Sequence, residues 1–408
     1  MGGEFASWAG PRRPKMLLVG EAWGDSEEAT GQPFVGHAGK ELWKLLGEAS
    51  GGLAAPLHTE ALAAHRHGPT WTTLRDPWLE AAGVALTNVL NLHPPANNLD
   101  HLCVEKKEYL GLCTALADGP PGLGQWPPLI RHPRDGYLHP THLPQLQRLC
   151  REISLSRPNL VVALGATAAW ALLRTTAIGS IRGAVAFGLP LWGEAGFGGQ
   201  AEAQPPGEAE ALKVLPTYHP AAVLRNWAWR PIVLADLMKA FREAEFPQLR
   251  RPQRQILVNP SLAEATSWVK ATLASPPATL ACDIETKSGQ ITCIGFARSP
   301  SEALVLPFAG PGGSYWPTLT EELQAWFLAE QLLNSGLPLV FQNGLYDLQY
   351  LRRQGLRIAR PAEDTMLLHH SLHPELLKGL GFLGSIYTNE ASWKLMRRKR
   401  DESNKADD

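Results

Sequence analysis

The sequence predicts an α/β protein of two domains, the first an αβα sandwich built on a mostly parallel sheet. Three observations carry this. A chain of 408 residues is longer than one hydrophobic core usually supports, so two domains are expected. In the first 245 positions short apolar runs end in glycine, asparagine or proline turns and alternate with helical periodicity, the pattern of buried parallel strands. Beyond position 257 closely spaced strands read as an antiparallel meander followed by a helix, a strand and a second helix.

The first strand is predicted at 16–20, where the apolar run breaks at Gly20 and Gly24. Strands at 84–90, 159–165 and 212–219 follow, the third entering a helical run at 166–174 and the last stopping at Pro220. Segments 111–142 and 193–207 have little period of either kind and read as long inserted loops. The first domain is placed at 1–245 and a proline-containing basic linker at 246–257. The second domain is placed at 258–408, with helices at 261–273, 321–334 and 345–354 and strands at 280–286, 290–297, 303–307 and 338–342. The charged run 397–408 is expected to fray.

Composition excludes several classes. With 38 Lys and Arg against 39 Asp and Glu the net charge is −1, so neither a basic coat nor a disordered acidic chain is expected, and any DNA contact must be a local groove. No apolar run approaches 18 residues, and the first fifteen positions carry charges and prolines, so the expectation is a cytoplasmic protein of a bacterial host or phage-infected cell without a membrane partner. Cys103, Cys113, Cys150, Cys282 and Cys293 are far apart and form no CxxC pair, which argues against a disulfide framework or a zinc ribbon.

Three segments carry specific chemistry: 20–36, with Gly20, Glu21, Ala22, Gly24, Glu27 and Phe34; Thr87-Asn88-Val89; and Thr217-Tyr218-His219-Pro220-Ala221. In this order they resemble the three motifs of the uracil-DNA glycosylase superfamily, family 4 and its phage-encoded relatives in particular, over roughly residues 14–245. The resemblance implies a pocket that receives a base flipped out of DNA. Phe34 would stack on the base, and Asn88 would read its edge through an amide that both donates and accepts. His219 would stabilise the negative charge that develops on uracil O2. Glu27 would lie near the attacking water or the sugar cation, with Glu21 in support. Gly20, Ala22 and Gly24 would admit the uracil close to the backbone, and Leu224 or Arg225 would fill the gap left in the stack. The bland alternatives are a core phenylalanine, a turn-forming asparagine, a solvated glutamate at a helix start and a lone histidine.

The chain also departs from family 4. Trp23 stands where that family has proline. The four cysteines that hold its iron–sulfur cluster have no counterparts here, Leu92 occupying one of the positions, so no cluster and no cofactor are expected for this domain. A related branch traps uracil covalently through a loop histidine. His101, His132, His139 and His142 lie in such a loop, but their context matches nothing, and surface histidines are expected.

In the second domain Asp283 and Glu285 are two apart on a predicted strand and so share one face. With Asp347 they form a set of hard oxygen ligands suited to Mg²⁺ or Mn²⁺. These positions resemble the first two motifs of the DEDD-type 3′-5′ exonucleases, the ribonuclease H-like proofreading domain of phage family A DNA polymerases; segments 364–367 and 378–383 share the likeness. The resemblance implies that Asp283 bridges two ions, that Glu285 binds one and orients water, and that Asp347 holds the second. The third motif lacks its ring residue, and only Asp407, four after Ser403, has the spacing, so this activity is expected to be weak or absent. No polymerase palm follows, and the chain is expected to be a two-domain protein or the front of a longer one.

The combined expectation is a DNA repair enzyme that excises uracil, from single strands by preference because extrusion there costs least, alongside replication proteins. Two alternatives remain at this stage: a catalytically silent DNA- or uracil-binding module, and an exonuclease whose first domain only holds DNA.

Overall fold

The computed structural model describes residues 7–51, 71–115, 128–130, 135–188, 212–250, 252–360 and 363–390. The chain divides into two compact units, Met1–Leu249 with Gly384–Asp408, and Arg250–Leu383.

The first unit runs β1 (Met16–Ala22), α1 (Asp25–Thr30), α2 (His37–Ala49), α3 (Trp71–Ala82), β2 (Val84–Leu90), β3 (Cys103–Val104), α4 (Lys106–Ala115) and β4 (Tyr137–Leu138). It continues with α5 (Leu143–Ser156), β5 (Leu160–Leu164), α6 (Gly165–Leu173), α7 (Ile178–Ile181), β6 (Ala186–Phe187), β7 (Lys213–Thr217), α8 (Pro220–Arg225) and α9 (Arg230–Ala244). The main sheet has the order β2-β1-β5-β7-β6, parallel except at the edge strand β6. Strand alternation explains the three layers. Met16, Leu18, Val162 and Leu215 face one core with Leu42 and Leu46 of α2, Trp78 of α3 and Leu237 of α9, while Leu17, Val19, Val161 and Val214 face the other with Leu149 of α5 and Trp170 of α6. Each such leucine, fully buried, contributes about 2 kcal/mol of transfer free energy.

The loop expected at 111–142 is in part regular. Helix α4 reaches Ala115, and β3 pairs antiparallel with β4. Tyr109 and Tyr137 hold α4 and β4 together, their rings stacked 5.0 Å apart, a tertiary contact that weak local periodicity does not announce. Segment 193–207 and Asp407 lie outside the described residues.

The first unit also takes in chain from its far end. Lys239 Nζ donates to Gly183 O (2.5 Å), Ser385 O (2.6 Å) and Thr388 O (2.5 Å). Arg182, in a bidentate pair with Asp236, donates to Ser385 Oγ (2.9 Å). The sequence gives no sign of this return, because two of the partners on the late segment are backbone carbonyls and the others are common polar side chains, Ser385 and Asn389.

The second unit contains β8 (Gln255–Leu257), α10 (Leu262–Ala274), β9 (Leu280–Lys287), β10 (Gln290–Ser299), β11 (Glu302–Pro307), the small pair β12 (Ala309–Gly310) and β13 (Gly313–Ser314), α11 (Leu319–Leu333), β14 (Leu339–Phe341), α12 (Leu345–Arg353), β15 (Glu363–Asp364) and α13 (Thr365–Leu372). Its sheet has the order β15-β14-β9-β10-β11-β8. Strands β9, β10 and β11 form the meander, and β14 and β15 extend it in parallel on the β9 side. The expected linker thus contains a strand, β8, which pairs parallel with the open edge of β11. Along β9 the buried Leu280, Cys282 and Ile284 alternate with the exposed Ala281, Asp283 and Glu285. Helices α10 and α11 begin in capping boxes, Ser261 with Glu264 and Thr318 with Glu321. Among the described residues no helix is long and apolar enough to cross a membrane.

Candidate active site

The site gathers at the carboxyl ends of β1, β2 and β7, where open parallel sheets bind ligands. Parallel pairing of β1 and β2 sets Gly20 opposite Asn88. A Cβ on Gly20 would lie 2.3 Å from Asn88 Oδ1 and 2.4 Å from Phe34 Cζ, so only glycine lets the strand end, the amide and the ring occupy this space. Asn88 is buried, and among the described residues its Nδ2 has no hydrogen-bond partner. An amide left in this state costs about 1–3 kcal/mol, which a bound ligand with an acceptor would recover. Arg148 holds the strand end from behind: Nη2 donates to Asn88 O (2.6 Å) and Val89 O (3.0 Å), and Nη1 donates to Glu152 (2.6 Å), which also accepts from Thr87 Oγ1 (2.9 Å).

Phe34 sits on a turn with left-handed backbone, φ 55°, a conformation that a bulky residue keeps only when its surroundings impose it. Two contacts impose it. Arg75 Nη1 donates to Pro33 O (2.9 Å) and Phe34 O (3.1 Å), and Gly39 of α2 packs so closely on Phe34 that a Cβ there would lie 1.9 Å from Phe34 O. Glu27 organises the same turn. Its Oε1 accepts from Val35 N (2.9 Å) and Gly36 N (2.9 Å), and its Oε2 accepts from Gly24 N (3.2 Å).

His219 caps α8, with Nδ1 accepting from Ala221 N (3.2 Å), so in the neutral ring the proton resides on Nε2. Its ring lies 6.1 Å from that of Phe34 at an interplanar angle of 27°. Burial pushes the imidazole below its ordinary value; the nearby Glu21 opposes that shift, Arg225 adds to it and Glu27 opposes it more weakly. Gly165 makes room for the imidazole: its φ is +87°, and a Cβ there would lie 2.9 Å from His219 Cβ. Glu21 Oε2 accepts from Thr167 Oγ1 of α6 (2.5 Å).

The remaining expected residues are at the rim. Ala22 pairs with Leu90, and Gly24 is the N-cap of α1. Trp23 is tied down at both ends, its N–H donating to Leu92 O (3.1 Å) and its Nε1 to Ser7 Oγ (3.0 Å). Leu224 and Arg225 are exposed at the end of α8. His139 caps a short turn by accepting from Thr141 N (3.2 Å), with His142 next to it, and His132 lies outside the described residues. Arg75, Arg148, Gly39, Gly165 and Thr167 escape sequence reasoning. Gly165, at a strand-to-helix turn, is a visible signal; Arg75 looks like any helical surface charge until the fold buries it.

Residues 8–244 match the family model described as the uracil DNA glycosylase superfamily. The chain belongs to this superfamily. Among curated relatives, type-4 uracil-DNA glycosylases, it is 25% identical to that of Saccharolobus solfataricus over 235 residues, 56% of this chain and 71% of the relative. It is 27% identical to that of Archaeoglobus fulgidus over 244 residues, 59% and 79% of the two chains, and 25% identical to that of Thermotoga maritima over 236 residues, 55% and 76%. The superfamily region contains Gly20, Glu21, Glu27, Phe34, Asn88 and His219, so the residues that meet at the sheet end all belong to the uracil DNA glycosylase superfamily part of the chain.

The second unit has its own carboxylates. Asp283 and Glu285 lie on one face of β9, and the buried Asp347 on α12 accepts from Ile284 N (3.0 Å). Asp364 caps α13 and accepts from Asn343 N (3.1 Å) and Gly344 N (2.8 Å). Among the described residues no three His, Cys, Asp or Glu side chains converge closely enough to hold a metal ion. Burial pushes the Asp347 carboxyl up to about 6, with Asp283 and Asp364 adding to the shift against the Ile284 hydrogen bond. Protonation at Asp347 therefore favours the folded unit at low pH, and this contribution disappears as pH rises through about 6. Asp347→Asn keeps the acceptor oxygen and removes the charge. In EDTA at pH 7.5 it is expected to stabilise the protein by on the order of 1–2 kcal/mol in urea unfolding, with the gain vanishing toward pH 4. An equal gain at both pH values would contradict the assignment.

Proposed function

We propose that the chain hydrolyses the N-glycosidic bond of uracil in DNA, leaving an abasic site. The observation that carries this is the buried Asn88, whose Nδ2 has no partner among the described residues and whose Oδ1 lies against Gly20 beside the Phe34 ring, which in turn faces His219. An amide that can donate and accept suits the uracil edge, an aromatic face suits its plane, and Gly20 lets the amide and the ring come together. As the bond between C1′ and uracil N1 breaks heterolytically, the electron pair passes to the base, and His219, neutral with its proton on Nε2, donates to O2. Glu21 and Glu27, both close enough to His219 to act on its charge, place negative potential where the sugar becomes cationic. Water then adds to C1′ and its proton leaves to solvent. Single-stranded uracil is the substrate this reading favours, because a base already unstacked costs least to extrude.

For the second unit we infer a ribonuclease H-like exonuclease fold. The support is the strand order β11-β10-β9-β14-β15, a meander extended by two parallel strands, with Asp283 and Glu285 on its central strand. Mg²⁺ or Mn²⁺ would be its ion. Among the described residues no three carboxylates form a ligand set for it, and Asp407 lies outside them.

The test is one labelled single-stranded oligonucleotide with one uracil, and a thymine control, incubated with the protein in EDTA or in Mg²⁺ and then cleaved by alkali. Cleavage at the uracil position in EDTA is expected. A ladder in Mg²⁺ alone would instead favour the nuclease, and intact DNA in both would favour a silent binding module.

A further inference from the structure

Beyond the pocket the chain leaves His219 through α8, a helix about 9 Å long by its six residues, and emerges in an exposed stretch, Leu224 to Ala228. Trp227 is the largest apolar side chain there, with 61% of its surface exposed. An indole so exposed is usually mobile, but this one is braced. The Arg230 guanidinium lies over the ring, 5.3 Å from its centroid. Arg230 is itself fixed on two sides: Nε donates to the buried Glu41 (2.9 Å), and Nη1 and Nη2 donate to Glu48 (2.9 and 2.5 Å). The turn carrying the indole is anchored as well, since Trp229 stacks on Tyr218 at 4.4 Å and 16° and both pack against the core. The outcome is a rigid aromatic face turned to solvent, one short helix away from His219, with the cations Arg225 and Arg230 on either side in sequence.

We propose that Trp227 is a stacking platform for a base of single-stranded DNA neighbouring the flipped uracil. This rests on the uracil-excision reading for the identity of the strand. The chemistry favours a base over other occupants. Aromatic faces bind nucleobases with little sequence preference, the exposed Arg225 attracts phosphates whereas Arg230 is already paired with two carboxylates, and a base whose own stacking partners are gone has a free face to offer, as a duplex base does not. Bracing by Arg230 lowers the ordering cost of the contact.

The experiment is a binding cycle on the full chain, read by fluorescence anisotropy with a labelled single strand containing 2′-fluoro-2′-deoxyuridine, which resists cleavage. Three strands are compared: ordinary neighbours, an abasic residue 5′ to the uridine analogue, and an abasic residue 3′ to it. Wild-type protein is expected to lose about tenfold in affinity with one of the two abasic strands. Trp227→Ala is expected to lose about as much on the ordinary strand and nothing further on that abasic strand, while Trp227→Phe retains most of the affinity. If Trp227→Ala binds the ordinary strand like wild type, or loses the same factor on all three strands, the platform is wrong. Excision of a cleavable uracil is scored separately in wild type: its absence would overturn the glycosylase reading, whereas the binding cycle alone decides the platform.

Discussion

His219→Ala is expected to slow single-turnover excision of uracil by about 10²–10³-fold, the loss found when one preorganised donor to a developing anion is removed. Affinity for an uncleavable uridine strand should change far less, because the ground-state carbonyl carries little of the charge that the imidazole stabilises. The pH dependence follows from the same environment. Burial lowers the imidazole pKa, and the Ala221 N–H occupies Nδ1, so the neutral ring with Nε2–H available is the dominant form above the ordinary histidine range. The wild-type rate is therefore expected to stay level from about pH 7.5 to 8.5, where a histidine with a lowered pKa is already neutral. A rate that fell across this interval would show that the imidazolium is required, and a His219→Ala rate within fivefold of wild type would remove the residue from the chemistry.

The second large effect is expected at a residue without a side chain. Gly20→Ala places a Cβ 2.3 Å from Asn88 Oδ1 and 2.4 Å from Phe34 Cζ. Neither neighbour can yield easily. The Asn88 strand end is held by Arg148, and Phe34 is held by Arg75 and by Gly39. The methyl group must displace the amide or the ring from the pocket, and a displacement of about 1 Å is enough to cost on the order of 10²-fold in rate. Excision by Gly20→Ala should thus fall at least that far, with uracil-strand affinity falling in parallel. Gly51→Ala is the contrast, since its φ of +66° brings backbone strain but its Cβ would meet nothing within 4 Å among the described residues. There the expected result is a loss of about 1 kcal/mol in stability and unchanged excision. Full activity in Gly20→Ala would mean that the pocket is not where Gly20, Asn88 and Phe34 meet.

Much of this site was legible because its parts are local. Gly20, Asn88 and His219 each lie within two residues of the end of a strand whose apolar run is unmistakable, and in a parallel sheet the strand ends with their turns fall on one edge. The alternation along β9 likewise makes the shared face of Asp283 and Glu285 readable from the spacing. The supporting residues were not legible. Arg75 and Arg148 are single charges on amphipathic helices, and nothing in their neighbours' spacing says that one will close on the Phe34 turn and the other on the Asn88 strand end. The packing of α4 on β4 depends on two tyrosines 28 positions apart meeting face to face, and residues 384–390 are bound to the first unit in part through backbone carbonyls, which carry no side-chain signature.

Sequence by itself therefore determined the layers, the strand ends and the kinds of side chain placed on them, because burial periodicity and turn chemistry act within a few residues of chain. Tertiary structure alone decided the state of those side chains. It committed both oxygens of Glu27 to backbone N–H groups, left Asn88 Nδ2 without a partner among the described residues, and half-buried His219 so that its imidazole pKa falls below the ordinary value. Each of these follows from which distant segments exclude water and which polar groups they supply, and both depend on contacts across the sheet rather than along it.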